Sequence, residues 1–259
     1  MVAHPLIEMA NDSSVRSVSG FREAAAAIDG AWLSASYRTE VAAAPMRSES
    51  DKYYFVGHDG TAGDGKETSR SEEYLAVALF NGAGAESSGL ALPGGGTIRI
   101  LDYQVPLKAK QDDAGVGKAD LMAVLPDNRL AVVELKYLKE SRSASNADTP
   151  LRALLEGLAY CAFFDADLDA LRADAKRNFK LDAAPSAPAL VILANDAYWE
   201  AYRNSSPAGA WTPAMDRLAD EAEKATGVAI SFLSLLNEKW DHNGGRPAFS
   251  STPHLEAAW

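Results

Sequence analysis

Two short apolar segments in the middle of the chain are separated by a polar turn. Residues 119–125 and 130–137 are rich in Val, Leu and Ala, and the Pro-Asp-Asn run at 126–128 between them is typical of a turn. Apolar runs of this length, bounded by turn residues, favour strands over helices. The pattern therefore predicts a β-hairpin.

Other periodic segments predict a chain that mixes helices and strands. Thr149 and Pro150 are an N-cap and a first-turn proline ahead of an apolar helix. The apolar run 189–194 has no polar position, which is typical of a strand buried on both faces. The remaining predicted elements are helices at 20–35, 71–80 and 212–225, strands at 52–56, 98–107 and 228–236, and a loop-like tail after 240.

Charged residues interrupt the second strand of the predicted hairpin. Successive side chains of a strand point to opposite faces, so Glu134 and Lys136 share one face and Leu135 points to the other. Asp120 joins the face of Glu134 and Lys136 only if the connecting loop has three or five residues, or if a bulge corrects the register. A loop of four residues would separate the two acids.

Charged side chains among Val133, Leu135 and Tyr137 are costly to bury unless they are paired or bind a metal. Some other group must therefore balance the charges of Glu134 and Lys136. A metal ion is the simplest candidate. The structural alternative is an ion-pair network on a half-exposed sheet.

The acid at Asp120, followed in the next strand by Glu134-Leu135-Lys136, resembles the PD-(D/E)xK nuclease superfamily. The resemblance implies an α/β fold with a restriction-endonuclease-like core, a mixed central sheet flanked by helices. It implies that Asp120 and Glu134 ligate a metal together with the Leu135 carbonyl, and that Lys136 is the catalytic lysine. Ala119 stands where the family motif has proline.

In the same family an upstream helix supplies a further acid, and the predicted helix at 71–80 is of that kind. Glu72 shares a face with Leu75 and Leu79, at spacings of three and seven residues. We favour Glu72 as a metal-ligating and catalytic residue for that reason, and Glu73 remains open as the alternative.

The order helix, three strands, helix, strand fits the family core over roughly residues 68–195. Glu156 and Tyr160 stand where some members carry Gln and Tyr, which leaves the role of that helix open. We expect residues 1–60 to form an N-terminal helical extension or cap packed on the core, and residues 61–259 to form the nuclease-like domain.

Composition sets limits on partners and location. The net charge of −11 over 259 residues gives no overall basic footprint for nucleic acid, although basic residues are concentrated around the predicted hairpin. The lone cysteine, Cys161, is expected to be a buried thiol. Without a long apolar run or an export signal, the sequence predicts a soluble, cytoplasmic protein with no membrane association.

The resemblance implies a Mg²⁺- or Mn²⁺-dependent nuclease that hydrolyses DNA phosphodiester bonds in restriction, defence or repair, with RNA the less favoured substrate. It also implies a homodimer or a larger complex, because many such nucleases dimerise to cut both strands. The alternative is a catalytically inactive nuclease-fold module that binds nucleic acid or a protein partner.

Overall fold

The computed structural model describes residues 4–62, 71–84, 87–113, 116–205, 211–243 and 245–259. The helices of these residues are α1 (Pro5–Ala10), α2 (Ser13–Arg16), α3 (Phe21–Ala27), α4 (Gly30–Ala43), α5 (Ser71–Ala83), α6 (Pro150–Ala166), α7 (Leu168–Phe179), α8 (Asp196–Asn204) and α9 (Thr212–Thr226). None of them is long and apolar enough to cross a membrane.

The strands are β1 (Leu90–Ala91), β2 (Thr97–Pro106), β3 (Lys118–Val124), β4 (Leu130–Lys136), β5 (Ala189–Asn195), β6 (Ile230–Leu236), β7 (Trp240–Asn243), β8 (Arg246–Phe249) and β9 (His254–Ala257). Seven of them form one sheet in the order β1-β2-β3-β4-β5-β6-β9, and β7 and β8 form a separate hairpin. The edge strands β1 and β9 approach each other, so the sheet is strongly curved.

The central sheet is mixed. The strands β4, β5 and β6 run parallel, whereas the other neighbouring pairs are antiparallel. Parallel neighbours need long crossover connections, and here α6 and α7 join β4 to β5 while α8 and α9 join β5 to β6. Every residue of β4 and β5 is buried, which explains their apolar sequences.

Each face of the sheet has its own core. Leu130, Val132 and Leu190 pack on the side of α6 and the N-terminal helices. Ala131 and Val133 belong to the opposite core, which includes residues of α5 and is also contacted by Phe249 of β8. The predicted α/β class, with a mixed central sheet flanked by helices, is confirmed, and its restriction-endonuclease-like identity stays a prediction.

The predicted helix at 20–35 is wrong in one respect, because two helices occupy that region. The Asp29 carboxylate accepts a hydrogen bond of 2.8 Å from the Trp32 backbone N–H, capping α4 where the single helix was expected to continue. The helix α3 therefore ends at Ala27, and Ile28 has an extended backbone. Asp, a common N-cap residue, was the signal for this break.

The predicted strand at 52–56 is also wrong. The Tyr54 N–H donates 2.6 Å to the Asp174 carboxylate of α7, and the Tyr54 hydroxyl donates 2.8 Å to Asp167. The Asp174 carboxylate thus accepts the backbone hydrogen bond that a neighbouring strand would accept if this segment were part of a sheet. The tail after 240 is likewise not loop-like, since it contains β7, β8 and β9.

Candidate functional site

The register of β3 and β4 places the predicted site residues on one face. Leu121 pairs with Val133 and Val124 with Leu130, so five residues, 125–129, connect the strands. The same register, continued by one residue, sets Asp120 opposite Glu134. The odd loop length that the site requires is present.

The Asp120 carboxylate is hydrogen-bonded to both neighbouring strands. Its Oδ2 accepts a hydrogen bond of 2.9 Å from the Leu135 N–H of β4, and its Oδ1 accepts one of 3.4 Å from Gln104 Nε2 of β2. Gln104 has a left-handed backbone, with φ of 48°, close to a register shift in β2. Burial raises the pKa of the Asp120 carboxyl.

Glu134 and Lys136 form a buried ion pair at the carboxyl end of β4. They are 3% and 4% exposed, and Lys136 Nζ donates to Glu134 Oε1 at 2.8 Å. The second carboxylate oxygen, Glu134 Oε2, is buried and has no hydrogen-bond partner in the described part of the chain. Burial raises the pKa of the Glu134 carboxyl, and the neighbouring Lys136 ammonium opposes that rise.

The Lys136 ammonium lies among several carboxylates. Burial alone would lower its pKa, but the surrounding negative charge outweighs burial and raises the pKa well above its usual range. The contributing acids are Glu134, Glu72, Asp120 and Asp148. The site is therefore a cluster of acids around one cation.

Helix α5 brings Glu72 to the end of β4. The Glu72 carboxylate accepts a hydrogen bond of 3.1 Å from the Tyr137 N–H, one residue beyond Lys136, and burial raises its pKa. Glu73 lies instead near Tyr103 of β2, where its charge contributes, after burial, to a raised pKa of the Tyr103 hydroxyl. Of the two candidate acids, Glu72 is the one beside Lys136.

Helix α6 adds residues that the sequence motif did not include. Asp148, just before the Thr149 N-cap, lies 3.8 Å from Lys136 Nζ and also pairs with Arg152. Arg152 in turn binds Glu156 at 2.9 Å, so Glu156 is part of an ion-pair chain along the helix. The four-residue spacing of Asp148, Arg152 and Glu156 was the available sequence signal. Gln104 had no such signal.

The carboxylates of the candidate site meet part of what a hard divalent cation such as Mg²⁺ requires. Asp120 and Glu134 offer carboxylate oxygens, which Mg²⁺ prefers, and Glu134 Oε2 is a buried acceptor that still lacks a donor. Within the described ranges, however, no three His, Cys, Asp or Glu side chains converge as a ready metal-binding group. Mg²⁺ commonly binds through one or two carboxylates and keeps several waters, so two acids suffice chemically.

His58 lies outside this cluster. Its Nδ1 is 2.7 Å from the Asp102 carboxylate of β2, and its ring lies 4.3 Å from that of Tyr103. Cys161 is buried, as expected, and burial raises the pKa of its thiol. Neither residue belongs to the candidate site.

Comparisons with protein-family models, with curated proteins and with solved structures find no match to this chain. The nuclease resemblance therefore rests on the residues and geometry given above.

Proposed function

We propose that the chain is a metal-dependent nuclease that hydrolyses DNA phosphodiester bonds. The observation that carries the proposal is the juxtaposition of Asp120, Glu134 and Lys136 on one face of the β3–β4 hairpin, with Glu134 and Lys136 buried and one Glu134 oxygen unpartnered. Buried acids around a lysine are costly as structure alone, and such clusters are more common at functional sites.

The connectivity supports the same proposal. The helix α5 precedes the antiparallel strands β2, β3 and β4, and helix α6 follows before β5 pairs parallel to β4. The predicted order of helix, three strands, helix and strand is present with two additions, the two-residue strand β1 after α5 and the helix α7 between α6 and β5. The restriction-endonuclease-like assignment remains part of the proposal.

In this proposal Asp120 and Glu134 hold Mg²⁺ or Mn²⁺, with the Leu135 carbonyl as a further ligand and Glu72 acting directly or through water. The bound cation supplies a water of lowered pKa and neutralises charge on the phosphate. The Leu135 N–H orients Asp120, and Tyr137 N–H orients Glu72. Lys136 keeps N–H donors besides the one given to Glu134, and these can bind a phosphate oxygen.

The test is cleavage of linear, circular and single-stranded DNA, and of RNA, by the protein in Mg²⁺ or Mn²⁺, with EDTA as a blank. Glu134→Gln should abolish cleavage while retaining the fold, because it removes a charged ligand with almost no change of shape. The matched control is Asp127→Asn, which alters an exposed carboxylate in the β3–β4 turn and should cut like the wild type. Equal cleavage by Glu134→Gln would refute the assignment.

The second candidate is an inactive nuclease-fold module that binds nucleic acid or a protein partner. Two observations favour it. The charges of Lys136 and Glu134 neutralise each other without a metal, and the described residues contain no group of three converging His, Cys, Asp or Glu side chains. Calorimetry with Mn²⁺ separates the two. Absence of both Mn²⁺ binding and cleavage would favour the module.

A further inference from the structure

A cleft of about 890 Å³ opens at the carboxyl ends of β4, β5 and β6, beside the candidate site. Tyr137, which follows Lys136, and Ser71, which precedes Glu72, both line it. In α/β sheets, ligands characteristically bind outside the carboxyl ends of the parallel strands. The cleft therefore lies at the same end of β4 as Lys136 and next to the start of α5, although Asp120 and Glu134 themselves do not line it.

The floor of the cleft is cross-linked by one buried side chain. Asn195, 1% exposed, accepts 3.0 Å from the Leu138 N–H and donates 2.9 Å to the Leu138 carbonyl. Its amide also donates 3.2 Å to Glu238, in the segment after β6. These bonds fix the ends of three elements relative to one another, so the cleft is preformed.

Two aromatic rings form part of its wall. Tyr137 and Trp240 meet edge to face with ring centroids 5.3 Å apart, and both side chains are only partly buried. A ring pair of this kind offers a stacking surface to a planar ligand. Nucleobases stack on exposed aromatic side chains whatever their sequence.

The charges around the cleft are mixed. Lys139 and Lys239 line it together with three acids, Glu140, Glu238 and Asp241. Lysines can neutralise phosphates, while carboxylates accept hydrogen bonds from base amino groups. A cleft with both signs of charge and an aromatic wall suits one whole nucleotide better than a continuous phosphate backbone.

We propose that this cleft, at the same end of β4 as the proposed metal site, binds an unpaired nucleotide of single-stranded nucleic acid. The inference rests on the proposed nuclease function and specifies its substrate. In a duplex the base faces are covered by their neighbours, so a base must be unpaired or displaced before it can stack on Trp240. The volume lies in the range of small-ligand pockets, about 300–1,000 Å³.

The experiment measures fluorescence anisotropy of a labelled single-stranded oligodeoxynucleotide and of the matching duplex, with Glu134→Gln protein in Mg²⁺. We expect about tenfold tighter binding of the single strand. Trp240→Ala should weaken single-strand binding about tenfold, and Trp240→Phe should restore most of it, since Phe still stacks.

A second variant tests the cleft without altering its aromatic wall. Lys139→Ala/Lys239→Ala should weaken single-strand binding and reduce the slope of log affinity against log salt by about 1.4, because two phosphate contacts are lost. The control with the same charge change is Arg38→Ala/Lys224→Ala, which alters exposed residues of α4 and α9 and should bind like the parent.

The possible results separate the two proposals. If the Trp240 and lysine variants bind single strands like the parent, or if duplex binds as tightly, the cleft inference is wrong even where wild-type protein cleaves DNA. If the variants lose single-strand binding while wild-type protein cleaves nothing in Mg²⁺ or Mn²⁺, the cleft inference stands and the nuclease proposal fails.

Discussion

At the scale of single residues, the Glu134–Lys136 pair determines how any substitution in the candidate site must be interpreted. The two charges lie on the same strand, two residues apart, and are almost completely removed from solvent. Removing one member of such a pair leaves the other uncompensated, whereas removing both can be nearly neutral. Loss of activity in a lysine variant therefore needs a stability measurement beside it.

Lys136→Met should lower the free energy of unfolding by about 3 kcal/mol, because Glu134 loses its only direct partner in the described residues. Glu134→Gln should cost less, since an amide is uncharged and can still accept from Lys136. The double variant should be more stable than Lys136→Met alone. Urea denaturation of the wild type and the three variants measures this, and additive losses would contradict it.

A second buried acid, Glu40 of α4, should make stability depend on pH. Its oxygens accept 2.8 Å from the Leu6 N–H and lie 2.7 Å from His4 Nδ1, and burial raises its pKa despite both contacts. Between the unfolded and folded pKa values the folded protein binds more protons than the unfolded chain. The free energy of unfolding therefore falls as pH rises from about 4.5 through the folded pKa.

Glu40→Gln removes this titration and keeps an acceptor for Leu6. Unfolding in urea between acid and neutral pH should show the wild type losing stability relative to Glu40→Gln as pH rises. A constant difference between the two proteins across that range would show that burial of Glu40 carries no such cost.

The sequence predicted part of the site for a simple reason. The two-residue period of a strand places Glu134 and Lys136 together, and loop length alone decides whether Asp120 joins them. Gln104 and Asp148 come from other elements and meet the cluster only through tertiary packing. No local pattern carries that information.

At the scale of elements, one glycine sets how closely α6 packs on the sheet. A Cβ built on Gly157 would lie 3.1 Å from Leu190 Cδ2 and still closer to Cδ1, and Leu190 is completely buried in β5. Helix α6 carries the Asp148 end of the site, so its distance from the sheet also positions the ion pairs there.

Gly157→Ala should destabilise the protein by about 1–3 kcal/mol, because overpacking exceeds the gain of about 1 kcal/mol in helix propensity. Leu190→Val in the same chain should relieve part of the clash. A double-mutant cycle by chemical denaturation should give a favourable coupling between the two changes. Purely additive effects would indicate that the helix moves away freely.

Strands could be predicted where the burial pattern of their own residues determines them. They could not be predicted where a distant side chain supplies the hydrogen-bond partner. The runs that became β4 and β5 are apolar at almost every position because both faces of the sheet are covered. The 52–56 segment has an equally strand-like composition, yet the Tyr54 N–H pairs with Asp174 of α7. The pattern of apolar residues indicates which side chains are buried, but it does not indicate which groups the backbone of the segment hydrogen-bonds.

At the scale of the molecule, the N-terminal helices and the crossover helices share one core. Thr149, which caps α6, donates 2.6 Å to the Val15 carbonyl, and Arg217 of α9 donates to the carbonyls of Ala25 and Ile28. Leu6, Phe21 and other residues before 45 belong to the same apolar cluster as α6. The sequence alone indicated an extension, but not which face it covers.

Removal of residues 1–44 should therefore yield a chain that does not fold, since it would uncover a large part of the α6 face of the core. Circular dichroism and size-exclusion chromatography of the truncated chain measure this. A soluble, cooperatively unfolding product would show that residues 45–259 are sufficient.

The parallel pairing of β4 with β5 also implies an order of events during folding. The β3–β4 hairpin needs only a five-residue turn, and hairpins form within about 1–10 μs. Pairing of β4 with β5 must await residues 137–188, which makes it slower. We therefore expect Asp120 and Glu134 to meet while still hydrated and to lose their water when α6 docks. The free-energy cost of removing these charges from water would then fall late in folding.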